Sequence, residues 1–268
     1  MARAVCMRHD CRVKADQGYP ESAFMSDHYE TGITLNAAGY AVAGKSILSG
    51  ITLNLTEPRI GIIGRNGSGK TTLLRLMAGL IAPTTGSVLV AGDDPFTQRR
   101  AMLRQIGILF QNPDHQILFP TVGEELTFGL RQIGQSATEA ADAVRILLAA
   151  EGRSHWVDAA THTLSQGQRH YLCLLAVLLM GPQIILLDEP FAGLDLPTQV
   201  RLVRKLTGLS QQIITISHDP AAVAGCDRVI WLDQGRVQAD GPASGVLATF
   251  GTAMQRLGDA DADTDIPR

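Results

Sequence analysis

A glycine-rich turn, Gly64-Arg65-Asn66-Gly67-Ser68-Gly69-Lys70-Thr71-Thr72, stands between the apolar run Arg59-Ile60-Gly61-Ile62-Ile63 and the helix-favouring Leu73-Leu74-Arg75-Leu76-Met77. A strand that turns this sharply into a helix leaves successive backbone N–H groups facing the turn, and the helix N-terminus adds a partial positive charge. The glycines keep Cβ atoms out of the way, so the segment is expected to cradle a polyphosphate largely through main chain. Lys70 is placed to neutralise β- and γ-phosphates, and the Thr71 hydroxyl to ligate Mg²⁺. A solvated glycine-rich turn would share the composition but not the strand–turn–helix setting.

The remainder of the chain limits what surrounds this turn. With 268 residues, 45% of them hydrophobic, the chain can bury a substantial core as one α/β domain with subdomains. A formal net charge of −3 offers no overall electrostatic footprint for nucleic acid. The longest apolar run, Tyr171 to Met180, is about half of what a membrane span needs and suits a buried helix. Cys6, Cys11, Cys173 and Cys226 form no dense framework, as expected in a reducing compartment such as the cytosol. Cys6, His9 and Cys11 have no second ligand pair at zinc-site spacing. Residues 1–30 lack an apolar stretch and are expected to be a disordered extension, with Met25 as a second candidate start. Residues 251–268 end in alternating Asp and small residues and are expected to be an acidic, disordered tail.

Between those ends the pattern changes along the chain. Ile33, Leu35, Tyr40 and Val42, then Ile47, Ile51, Leu53 and Leu55, form short alternating runs broken by glycine, which reads as antiparallel strands; Gly86 to Gly92 reads as a further hairpin. From Thr121 to about Ala150 the spacing turns helical, announced by the capping boxes Thr121/Glu124 and Ser136/Glu139. Beyond residue 180, strands at Ile184–Leu187, Ile213–Ser217 and Val229–Leu232 alternate with a helix at Pro197–Leu206, which indicates a mostly parallel sheet.

Two further constellations carry chemistry. Ile184-Ile185-Leu186-Leu187 ends in Asp188-Glu189, which places two acids at the carboxyl edge of the sheet, where such sheets bind ligands. Asp188 is expected to hold Mg²⁺ and Glu189 to polarise an attacking water. Leu164-Ser165-Gln166-Gly167-Gln168 precedes an apolar helix, and Ser165 with Gln168 has capping-box spacing. It reads either as a cap or as a second anion site at a helix N-terminus.

In order and spacing these segments resemble the ATP-binding cassette family over about residues 33–250. Gly64–Thr72 resembles its phosphate loop, Gln111 the glutamine of its mobile loop and Leu164–Gln168 its signature. Asp188-Glu189 is similar to its second nucleotide motif, Ala192-Gly193-Leu194-Asp195 to the loop that follows, and His218 to its switch histidine. The resemblance implies a P-loop NTPase fold: a RecA-like, mostly parallel sheet with an antiparallel β subdomain and an inserted helical subdomain near residues 112–180, all within residues 31–250. It also implies ATP and Mg²⁺ as ligands. Gly64, Arg65, Asn66, Gly67, Ser68, Gly69, Lys70, Thr71 and Thr72, with Ser165, Gly167 and Gln168 of a second chain, would hold the nucleotide. Thr71, Gln111 and Asp188 would hold the metal, and Glu189, His218 and Gln111 would serve hydrolysis. Gln166 stands where the family usually has glycine, and Val42 where it commonly has the adenine-stacking aromatic. Tyr40, two residues earlier on the same strand face, is the candidate for stacking.

The stretch from Phe110 to Leu130 resembles the ATPases of energy-coupling-factor importers, the branch serving biotin, cobalt and nickel. That likeness implies a peripheral protein on the cytoplasmic face of the cell membrane. Its partners would be a transmembrane coupling subunit, a substrate-binding membrane subunit and a second, identical or different, ATPase chain, with no nucleic acid. Biotin is the first expectation for cargo, and cobalt or nickel the next. Two rivals are a soluble cassette protein acting on DNA or ribosomes and a small-molecule kinase.

Overall fold

The computed structural model describes residues 32–259, so the expectations for residues 1–30 and for the tail beyond 259 lie outside the described residues. Strands β1 (Ile33–Val42), β2 (Lys45–Leu55) and β4 (Thr85–Val90) form an antiparallel sheet in the order β2-β1-β4. The Gly86–Gly92 stretch is thus not a separate hairpin: β4 pairs along β1, from Ile33 opposite Val90 to Gly39 opposite Thr85. The other five strands are β3 (Arg59–Ile63), β5 (Ile106–Leu109), β6 (Ile184–Asp188), β7 (Gln212–Ser217) and β8 (Arg228–Asp233), with β9 (Arg236–Pro242) at the end. Their order is β5-β6-β7-β3-β8-β9, parallel except for the antiparallel edge strand β9. The fold is therefore the α/β, mostly parallel P-loop NTPase architecture with an antiparallel β subdomain.

The helices sort by the faces they cover. Helix α1 (Lys70–Met77) lies between the two sheets, its Leu73, Leu74, Leu76 and Met77 buried among side chains of both. On β6, Ile184 and Leu186 join that core, whereas Ile185 and Leu187 face the opposite layer with α5 (Gln166–Leu179) and α6 (Leu196–Thr207). A strand buried on both faces must be continuously apolar, which is why Ile-Ile-Leu-Leu shows no polar alternation. Helix α5 is apolar around most of its girth for a related reason. Cys173, Leu174 and Val177 pack on the parallel sheet, while Leu172 and Leu175 pack into a separate helical cluster.

That cluster is built by α3 (Val122–Gln132) and α4 (Ala137–Ala150), both opened by the anticipated capping boxes. Helix α2 (Arg99–Gln105) leads into β5, α7 (Pro220–Val223) follows β7, and α8 (Ala243–Asp259) packs Val246 and Phe250 onto β8. Residues 251–259, expected in the disordered tail, are helical instead. Phe250 meets Trp231 edge-on at 5.6 Å, and the helix continues past this anchor with Met254 still packed on the same cluster. Among the described residues no helix is long and apolar enough to cross a membrane.

Candidate functional site

Strand β3 delivers the chain into the phosphate loop at the carboxyl edge of the parallel sheet. Gly64 is required by space: a Cβ there would stand 2.1 Å from the Leu232 carbonyl oxygen. Gly69 is required by conformation, holding φ at +102° as the N-cap of α1. No side chain among the described residues caps this helix, so its first-turn N–H groups remain available to an anion. Ser68 Oγ is buried in the loop with no partner among the described residues, a donor that a phosphate oxygen would satisfy. Arg65, Asn66 and Gly67 form the exposed crest, and Thr72 lies in the first helical turn. The loop thus fits a polyphosphate.

Lys70 is buried and donates from Nζ to the carbonyls of Gly64 (2.7 Å) and Arg65 (2.9 Å). Burial lowers its pKa from the ordinary lysine value, and the carboxylates of Glu189 and Asp188 oppose that shift. Asp188, at the end of β6, is 6% exposed and accepts a hydrogen bond from Thr71 Oγ1 at 3.4 Å. Its pKa is raised, first by burial and then by the neighbouring Glu189 charge; Thr71, Lys70 and Arg75 pull it back. Thr71 and Asp188 thus present two hard oxygen donors at one point, which suits Mg²⁺. Among the described residues no group of three or more His, Cys, Asp or Glu gathers as a metal cage.

Glu189 has φ +47°, a left-handed conformation that costs a non-glycine residue about 1–3 kcal/mol. The backbone bonds Glu189 N to Ile216 O (2.8 Å) and Ala192 N to Glu189 O (3.1 Å) hold it there. Its carboxylate accepts from Ser217 Oγ at 2.7 Å and from His218 N at 2.9 Å, and Oε1 lies 2.8 Å from His218 Nδ1. The structure therefore brings Glu189 and His218 into direct contact, joined by Ser217, which sequence reasoning did not single out. Gln111 is exposed just beyond β5, at the same sheet edge as Asp188. The segment after it is tied down by Gln116, whose side chain accepts from Phe110 N and donates to Ile108 O, each at 3.2 Å.

Tyr40 pairs across the antiparallel sheet with Leu48, whose side chain abuts Gly69, so this sheet end flanks the loop. Tyr40 packs against the core, whereas Val42 is 51% exposed. Leu118 is 67% exposed, but Phe119 and Phe128 pair their rings at 5.0 Å within the helical layer.

The Ser165 segment forms a second, separate centre at the N-terminus of α5. Ser165 Oγ accepts from Gln168 N (3.3 Å), and Gln168 Oε1 accepts from Ser165 N (2.8 Å). The cap uses a lone pair of Oγ and leaves the hydroxyl proton free to donate, so a cap and an anion contact are compatible in one residue. Ser165 and Gly167 open onto a cleft of about 1280 Å³ between α5 and α6. Among the described residues no hydrogen bond joins this segment to Gly64–Thr72.

Residues 43–192 match the ABC transporter family. A biotin transport ATP-binding protein of Rhodobacter capsulatus, BioM, is 49% identical over 219 residues, covering 82% of this chain and 94% of its own. The BioM protein of Rhizobium etli is 39% identical, covering 81% and 97%. A solved structure of cbiO1 from Clostridium perfringens, described as part of the ABC transporter complex cbiONQ, superposes with a TM-score of 0.70. It has 30% identity and covers 84% of this chain and 93% of that one.

Proposed function

This chain belongs to the ABC transporter family as one of its ATP-binding, ATP-hydrolysing subunits, and from that premise we propose that it energises an energy-coupling-factor type importer of biotin. The observation that carries the reading is the division of the nucleotide chemistry between two centres, one at Gly64–Thr72 and the other at Ser165–Gln168. Each is a helix N-terminus, and among the described residues no hydrogen bond joins the two. Two chains set head to tail would place the Ser165 hydroxyl and the Gly167 backbone of one against the γ-phosphate held by the other.

In this reading the loop N–H groups and Lys70 hold the β- and γ-phosphates, and Thr71, Asp188 and Gln111 hold Mg²⁺. Bound Mg²⁺ supplies charge neutralisation to the transferring phosphoryl group. Glu189 orients the attacking water, and His218 hydrogen-bonds the γ-phosphate. Their mutual contact gives this a simple requirement: Oε1 must exchange the His218 ring for water before hydrolysis. Ser217 and the His218 N–H keep the carboxylate aimed throughout. Tyr40 or the sheet end it belongs to flanks the adenine side. The ATPase domain extends from β1 through α8, with a helical subdomain near residues 112–180. The exposed Leu118 beyond Gln111 supports a docking surface for a membrane subunit that senses nucleotide through that glutamine. The chain is then peripheral to the cytoplasmic face of the membrane, paired with an identical or related ATPase chain, a transmembrane coupling subunit and a substrate-binding membrane subunit.

The similarity to two biotin transport ATP-binding proteins supports biotin as cargo. Uptake of labelled biotin by cells carrying the gene and its neighbours should fall to background when Glu189 is replaced by Gln. Uptake of cobalt or nickel with no biotin uptake would move the cargo assignment to the metal branch.

A further inference from the structure

Between Gln111 and α3 the chain makes a loop, residues 116–121, that is held by three parts of the fold. Gln116 anchors it to the end of β5 through Phe110 N and Ile108 O. Thr161, four residues before Ser165, donates from Oγ1 to the Phe119 carbonyl (2.9 Å) and from its N–H to the Pro120 carbonyl (2.8 Å). Glu125 holds the loop from α3, where Oε2 accepts from Leu118 N (2.8 Å) and from Phe119 N (3.0 Å). The first turn of α3 is itself bonded to the segment before Thr161, Val122 N to Ala159 O (3.0 Å) and Gly123 N to Val157 O (2.9 Å).

Glu125 is 6% exposed, and among the described residues no Lys, Arg or His forms an ion pair with it. Taking a carboxylate out of water without a counter-cation is costly, and its place in the first turn of α3 offsets only part of that through the helix dipole. The buried positions beside it, Val122 and Leu126, are apolar, so packing alone does not call for an acid here. What the carboxylate gains is two charge-assisted hydrogen bonds to successive amides that, among the described residues, have no other acceptor. One of those amides belongs to Leu118, whose side chain is 67% exposed. The hydrophobic effect favours folding such a side chain back against its own protein, but the backbone beneath it is fixed and the side chain stays in solvent.

We propose that Glu125 is a positioning residue for the membrane-facing loop: by holding the amides of Leu118 and Phe119 it presents Leu118 as a rigid contact for an apolar surface of the coupling subunit. A load on Leu118 then passes through Gln116 to the backbone beside Gln111, and through Thr161 to the segment that presents Ser165. The inference rests on the docking of a membrane subunit at Leu118 given above.

The test compares Glu125→Leu with Glu125→Gln, because Gln keeps an oxygen with two lone pairs for the two amides and Leu keeps only the bulk. Each variant is measured as the purified full chain and, for biotin uptake, in cells carrying the gene and its neighbours; Leu118→Asp is measured alongside for uptake. The expected result for Glu125→Leu is uptake about tenfold lower, with ATP turnover of the purified chain within about twofold of wild type. Gln should restore uptake to within about threefold. Hydrogen exchange at the Leu118 and Phe119 amides should be slow in wild type, about tenfold faster in the Leu variant and slow again in the Gln variant. A role in folding alone would lower purified-chain turnover and uptake by the same factor, and that result would overturn the proposal. Unprotected Leu118 and Phe119 amides in wild type would overturn it even if the Leu variant fails to fold. Wild-type uptake in Glu125→Leu, with uptake lost in Leu118→Asp, would overturn the Glu125 role alone. Wild-type uptake in Leu118→Asp would remove the premise, and the proposal with it.

Discussion

Helices α1 and α5 both begin at glycine-bearing segments, yet their first turns are finished differently. Helix α1 has Gly69 in a left-handed conformation at its N-cap and, among the described residues, no side-chain cap, whereas α5 has Ser165 and Gln168 closing a complete capping box. The donors of α1 are left for a ligand, and Lys70, Thr71 and Asp188 converge beside them. The first turn of α5 satisfies itself in part and keeps back only the Ser165 hydroxyl proton and the Gly167 backbone. On the proposed reading, one helix is a binding site, and the other would complement a binding site on another molecule. A capped helix is stable before its partner arrives, which suits a surface that must form and break contacts in every cycle.

The largest effect tests the α1 side. Glu189→Gln should lower kcat by about 10²–10⁴-fold, the range for losing a positioned base, while equilibrium binding of a fluorescent ATP analogue stays intact. Near-normal turnover would remove Glu189 from the chemistry.

The α5 side predicts two separable effects. Ser165→Ala loses the cap and should cost about 1 kcal/mol of stability, seen as a midpoint lower by about 3 °C, with turnover about tenfold lower. Ser165→Asp restores a good cap and should recover the midpoint, but it sets a negative charge against a phosphate and should abolish turnover. If both properties recover together in the Asp variant, the segment is a cap and nothing more.

The smallest shift in midpoint concerns Asp188. Its raised pKa means that the folded chain binds the proton more tightly than the unfolded chain, so ionised Asp188 opposes folding at neutral pH and the penalty fades as pH falls. Asp188→Asn should therefore raise the midpoint at pH 7 by about 2 °C, with the gain shrinking on acidification, while Mg²⁺-dependent hydrolysis is lost. A midpoint that drops at pH 7 would contradict the assignment of burial as the dominant cause.

Much of the α1 side was legible in residue order, because its features are local. A glycine pattern between a strand and a helix, and an apolar run ending in Asp188-Glu189, each announce themselves within ten residues. The capping boxes of α3, α4 and α5 were equally readable from their spacing. The elements that escaped have weak local signals. Strand β5 is four residues long with Gly107 inside it, and β9 is a half-exposed edge strand. Helix α8 carries Gly245, Gly251 and Gly258, poor helix formers that are held by the docking of Phe250 on Trp231. The left-handed φ of Glu189 is a tertiary fact with no signature in order or composition.

The central claim is that one chain carries two halves of different nucleotide pockets. The most direct measurement is the light-scattering mass of Glu189→Gln with and without Mg-ATP, repeated after Ser165→Asp is added. The account predicts a mass that doubles with nucleotide and a doubling that disappears in the double variant while ATP still binds. A single-chain mass at saturating ATP, together with wild-type hydrolysis whose specific rate does not change on dilution, would contradict it.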